Sequence, residues 1–158
     1  MRRGRVVSPQ DPRLVERQGD IARRSGDAGG AVQAYQEVAT LAPEDPLIRV
    51  KLGELLRDVG RADESVRMLR EAVKLDPETA SYWNSLGMVL GGNGDLPGAE
   101  QAFREAAARE ASNAQYHYNL GLALARQQKR DEARAAFARA LEIDPAFAPA
   151  RERLAELR

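Results

Sequence analysis

The sequence predicts an all-α chain folded as an α-solenoid, an open stack of two-helix units with about nine helices in all. Three observations predict it. Gly19, Gly53, Gly87 and Gly121 follow one another at intervals of 34 residues without insertion or deletion, and a fixed period of that length marks a repeat architecture. Apolar residues inside each interval recur at three- and four-residue steps, the spacing of one helix face and not the alternation of a strand. A turn signal then divides every interval in two, at Gly26-Asp27, Gly60-Arg61, Gly94-Asp95 and Gln128-Lys129. The 158 residues have the length of one ordinary domain.

Residues 1–11 fit no column of the repeat and are expected to form a disordered tail. The first unit, 12–45, places small Ala31, large Tyr35 and Val38 at fixed distances after Gly19, with Pro43 closing it. The second, 46–79, repeats the columns with Leu52 before the glycine and Leu56, Ser65, Leu69, Ala72 and Pro77 after it. In the third, 80–113, they are Trp83, Leu86, Leu90, Ala99, Phe103 and Ala106; in the fourth, 114–147, Leu120, Leu124, Ala133, Phe137, Ala140 and Pro145. Residues 148–158 put Leu154-Ala155 in the Leu-Gly columns of a fifth unit and form a capping helix whose other face is charged.

Local chemistry supports two helices of roughly 14 residues in each unit. Glycine in the mid-unit turn suits the left-handed position that ends a helix, and Asp27 and Asp95 can cap the helix that follows. Asp76-Pro77 and Asp144-Pro145 end second helices, because proline disfavours α geometry in the residue before it. Pro97 falls in a first turn, where its missing N–H has no partner to lose. The glycine and the small Ala or Ser column let the two helices of a unit approach closely. The large residue after them is expected to fill the gap towards the following unit. A lone pair of such short helices buries too little to offset its ordering entropy, so each unit depends on its neighbours.

These columns resemble the tetratricopeptide repeat, a 34-residue helical pair with W…L-G…Y, A…F…A and P positions, and 80–113 shows them best. The resemblance covers about nine-tenths of the chain. It implies a right-handed superhelix whose inner surface is lined by the first helix of each pair, and a role in protein–protein interaction. The chain departs from the pattern in two units. Gln18 and Val15 stand for Leu and Trp in the first unit, whose packing should be the loosest. Arg109 and Ala111 replace an apolar residue and the proline in the third, so the junction to the fourth should be less sharply specified.

The resemblance also implies which positions face the groove. The first unit supplies Arg13, Glu16, Arg17, Asp20, Arg23 and Arg24, and the second Leu47, Val50, Lys51, Glu54, Arg57 and Asp58. The third supplies Ser81, Asn84, Ser85, Met88, Gly91 and Gly92, and the fourth Gln115, Tyr118, Asn119, Leu122, Ala125 and Arg126. The C-terminal half is uncharged except at Arg126 and mixes apolar anchors with amides, as binding sites do. Asn84, Ser85, Met88, Gln115, Tyr118, Asn119, Leu122 and Arg126, with Lys51 and Glu54 beside them, are the expected peptide-binding residues. Gly91 and Gly92 either leave room in the wall or fray the helix end. The family's carboxylate clamp is incomplete: Asn119 fits one column, but Asn84 and Met88 occupy those of a Lys and an Asn, so no grip on acidic chaperone tails is expected. The asparagine ladder of some members is missing too, with Arg17, Lys51 and Ser85 in the column of Asn119.

Composition excludes several function classes. With 24 basic and 24 acidic side chains the net charge is zero, against a nucleic-acid binder, which needs a basic face. There is no cysteine and one histidine, so thiolate and histidine-rich metal sites are excluded. His117, in the column of Trp83, is expected to be a partly buried packing residue. No Gly-Xaa-Ser-Xaa-Gly elbow occurs, and Gly91-Gly92-Asn93-Gly94 lacks the Lys of a phosphate loop. Asp63-Glu64 and Asp131-Glu132 open second helices, where they complement the dipole. No apolar run approaches the ~20 residues that span a bilayer, and the basic start lacks the apolar core of a signal peptide.

The expectation is therefore a non-catalytic scaffold without cofactor. It would hold a peptide or helix of another protein and be cytoplasmic, or belong to the cell envelope if a leader once preceded it. The alternatives are a self-assembling protein, its repeat ends joining copies into a homo-oligomer, and a regulatory part of a larger complex.

Overall fold

The computed structural model describes residues 11–157. Among them are nine α-helices and no strand: α1 (Pro12–Arg24), α2 (Ala28–Leu41), α3 (Pro46–Asp58), α4 (Ala62–Leu75), α5 (Ala80–Gly92), α6 (Leu96–Arg109), α7 (Ala114–Arg126), α8 (Arg130–Ile143) and α9 (Ala148–Glu156). The mid-unit turns take the expected conformation, with φ of 82° at Gly26, 79° at Gly60 and 87° at Gly94. Gln128 occupies the same position in the fourth unit at φ 62°, without glycine's freedom. Asp27 and Asp95 cap α2 and α6 by accepting from the N–H groups of Gly30 (2.9 Å) and Gly98 (3.0 Å). Asp11, Asp45 and Asn113 cap α1, α3 and α7 in the same manner. Asp11 thus belongs to the first helix and not to a disordered tail; the rest of that expectation lies outside the described residues.

Each helix packs against its neighbours in sequence, and successive first helices also touch, α3 with α5 and α5 with α7. The pairing within a unit rests on the glycine column. A Cβ on Gly19, Gly53, Gly87 or Gly121 would stand 2.6, 2.8, 2.6 and 2.5 Å from Tyr35, Leu69, Phe103 and Phe137 respectively. The large side chain therefore lies on the glycine of its own unit, and it also joins the core shared with the next, as expected: Tyr35 clusters with Ile48 and Leu52, and Leu69 with Leu86 and Leu90. The missing glycine side chain leaves the space that the large one occupies. Ser65 is fully buried in the small-residue column and donates to the Gly53 carbonyl at 2.6 Å. A buried hydroxyl needs such an acceptor.

Two further details refine the sequence reading. Residues four into the first helices pin the preceding linker: Trp83 Nε1 donates to the Pro77 carbonyl at 2.7 Å, and His117 Nε2 lies 3.1 Å from the Ala111 carbonyl. A carbonyl only accepts, so the His117 nitrogen carries the hydrogen. Arg109 stacks 5.1 Å from the Trp83 ring and also bonds the Pro77 carbonyl. Instead of loosening the junction to α7, it braces the start of its own unit. Ala80, Ala106, Ala107 and Tyr116 seal that junction as one buried cluster.

Candidate functional site

The first helices touch one another, whereas α6 and α8 meet through long side chains such as Arg104 and Glu132 at 2.9 Å. The stack is tighter on the side of α1, α3, α5 and α7, so the residues on that face line the inside of the curve. A ladder of bonds crosses from each first helix to the one before it. Lys51 Nζ donates to Glu16 (2.7 Å) and Asp20 (3.2 Å), Ser85 Oγ to Glu54 (2.8 Å), and Asn119 Nδ2 to Asn84 Oδ1 (2.8 Å). The register is constant: the sixth residue of one helix meets the fifth or ninth of its predecessor.

This ladder engages half of the ten residues singled out in the sequence. Lys51, Glu54, Ser85, Asn84 and Asn119 staple units together, and Ser85 is buried at 7 % exposure. The missing asparagine ladder is thus replaced by a mixed one, ionic at the first junction and amide at the last. At the ionic end the Tyr35 hydroxyl donates to Asp20 at 2.7 Å. That bond holds the Asp20 carboxyl below its ordinary value against the opposing effect of burial, and Lys51 adds to it. Burial first, then the Asp20 bond, pushes the Tyr35 hydroxyl up to about 12.

Tyr118 is half-buried and packs edge-on against Phe147 at 5.3 Å and tilted against Phe137 at 5.7 Å. It helps seat α9 and is not a free anchor. The sequence concealed this because Phe147 lies in a linker outside the repeat columns. Gln115 is exposed and bonds Asn119 at 2.8 Å.

The remaining three, Met88, Leu122 and Arg126, come together beside Asn119 of the ladder. Met88, Asn119, Leu122 and Arg126 line a slot of about 300 Å³ between α5 and α7, with Gly87, Gly91, Gly92, Leu96, Phe103 and Ala123. Its floor is apolar, Met88 stands 45 % exposed at its rim, and the Arg126 Nη1 donates to the Gly91 carbonyl at 2.6 Å. Gly91 and Gly92 are the last two residues of α5, which is capped at Asn93. Neither has positive φ, and a Cβ on Gly92 would meet nothing within 4 Å. The fold does not require glycine there, and its absence of side chain is what opens the slot. Phe103, Leu96 and Ala123 in the floor were legible only as core; the Gly-Gly pair was the signal available for them.

No cluster of three or more metal-ligating side chains occurs among the described residues, and no helix among them is long and apolar enough to cross a membrane. A sequence profile described as the tetratricopeptide repeat matches residues 2–46, 50–108 and 86–146. No curated protein matches the sequence. Among solved structures, the MamA protein superposes with a TM-score of 0.87 at 27% identity, covering 92% of this chain and 80% of its own. YrrB, described as a TPR protein with an unusual peptide-binding site, has a TM-score of 0.78 at 21% identity over 85% of this chain and 70% of its own. The first TPR of Spaghetti (RPAP3), bound to an HSP90 peptide, gives 0.68 at 21% identity over 71% and 89%.

Proposed function

The chain belongs to the tetratricopeptide repeat family, and on that premise we propose that it is a non-catalytic scaffold holding a segment of another protein on its inner face. The reading centres on the slot between α5 and α7. What supports it is the glycine pair: two side chains are absent where neither backbone geometry nor the surroundings of Gly92 demand it, at a helix-propensity cost of about 1 kcal/mol each. The walls combine an adaptable Met88, Leu122 and an apolar floor with Asn119 and Arg126 at the edge, and few anchors of this kind dominate binding energy. YrrB and the RPAP3 domain are described as peptide-binding on the same fold, which is consistent with the proposal. A cytoplasmic location is part of it.

The test is an unbiased pull-down with mass spectrometry, repeated with Gly92→Leu. Leucine fills the mouth of the slot and favours the helix, so helicity should hold while recovery of the same partner falls about tenfold or more. Equal recovery would place the binding surface elsewhere. Tyr118→Ala is the poorer choice, since it would loosen α9.

Self-assembly through the N-terminal end is the second reading, favoured by one observation. Leu14 and Ile21 are 60 % and 51 % exposed on α1, at the positions where Ile48 and Leu55 seal the next junction. Concentration-dependent light scattering that vanishes in Leu14→Asp/Ile21→Asp would support it.

A further inference from the structure

Charge on the inner face is not evenly available. Each of its carboxylates already has a partner: Glu16 and Asp20 hold Lys51, Asp58 pairs with Arg57 at 2.8 Å, and Glu54 accepts from Ser85. The arginines differ. Arg13, Arg17 and Arg126 form no ion pair among the described residues. Arg126 is exposed, stands at the edge of the slot, and uses only Nη1 on the protein, for the Gly91 carbonyl. Its other guanidinium N–H groups have no protein acceptor among the described residues, and no carboxylate lines the slot.

We propose that this slot takes an apolar side chain of the partner segment with a carboxylate beside it, the apolar group on Phe103, Leu96 and Leu122 and the carboxylate on Arg126. The inference rests on the groove reading above and adds the chemistry of the ligand. A volume of about 300 Å³ accommodates one large side chain with room for adjoining main chain. Guanidinium matches carboxylate geometry through paired N–H donors. The sign of the rim charge excludes a basic flank, since a cation there would meet Arg126 unscreened by any acid. The apolar floor supplies most of the affinity, and the arginine supplies the choice among apolar segments. A purely acidic peptide has nothing to place on the floor and is not a ligand.

A random linear peptide library panned against the full chain tests this. The best binder is then titrated against wild type, Arg126→Glu and Gly92→Leu, each first verified as helical. Wild type should enrich an apolar residue with Asp or Glu next to it and leave a poly-glutamate peptide unbound. Arg126→Glu should weaken the selected peptide about tenfold, and its own panning should return Lys or Arg at the flanking place. Apolar peptides enriched without acidic preference, or the same preference in Arg126→Glu, would overturn the inference and leave the groove standing. Full binding by Gly92→Leu, or no enrichment at all, would remove the groove and the inference together.

Discussion

Two glycines in this chain have opposite meanings, and substitution separates them. Gly53 lies under Leu69, and a Cβ there would come within 2.8 Å of the Leu69 Cγ, a fully buried atom that cannot swing away. Gly53→Ala should destabilise by about 1–3 kcal/mol, the usual cost of overpacking. At Gly92 the added methyl meets nothing within 4 Å, so Gly92→Ala should stabilise by about 0.5–1 kcal/mol through helix propensity. Gln128 presents the converse case. It holds φ at 62° where the other three units have glycine, and Gln128→Gly should recover about 1 kcal/mol of left-handed strain. Urea midpoints for the three variants decide all three signs. A destabilised Gly92→Ala would mean that the position is packed after all, and the slot argument would lose its premise.

At the scale of helices, junctions are held by polar staples as well as by apolar columns. The clearest is Glu100 of α6, only 5 % exposed, which accepts from Gln127 Nε2 at 2.6 Å and Lys129 Nζ at 2.8 Å and also pairs with Arg104. Burial works to raise its carboxyl, but the Lys129 and Gln127 bonds outweigh it and hold the group below its ordinary value of 4.5. A carboxyl whose value is depressed by folding contributes stability that is present above 4.5 and fades as pH falls through the folded value. Glu100→Gln should therefore be less stable than wild type at neutral pH by about 1–2 kcal/mol, since Lys129 and Arg104 are half-exposed and recover hydration. The gap should narrow progressively below pH 4.5. Urea titrations of both proteins from pH 7 to 3 measure it, and a constant gap would show that Glu100 acts by shape and not by charge.

Over the whole molecule, the architecture was legible because the columns of a 34-residue period recur in four units and a turn glycine recurs in three of them. The candidate site was legible only as a set of inner-face positions. Met88, Asn119, Leu122 and Arg126 do share one slot, but which groove side chains are consumed by their neighbours depends on the register between units. No residue spacing encodes that, so Lys51, Ser85 and Tyr118 looked free in the sequence. Stacking has a further consequence for stability. In an array where each unit touches only those beside it, free energy is close to a sum of unit and junction contributions, and ends open first. The ends here are unequal. Helix α1 buries only Val15 and Gly19, while α5 buries seven residues and α3 six. Where Ile48 and Leu55 are 1 % and 5 % exposed against α2, their counterparts Leu14 and Ile21 face solvent. At the other end α9 covers α8 with Ala150 fully buried and turns Arg151, Glu152 and Arg153 outward. Hydrogen exchange under native conditions should therefore show α1 least protected, α9 next, and α3 to α7 opening only near the global free energy. Protection in α1 equal to that in α5 would mean that the array opens as a single unit, or that the exposed face of α1 is covered in solution by another molecule; dilution separates the two, since only cover by a second molecule is lost with it.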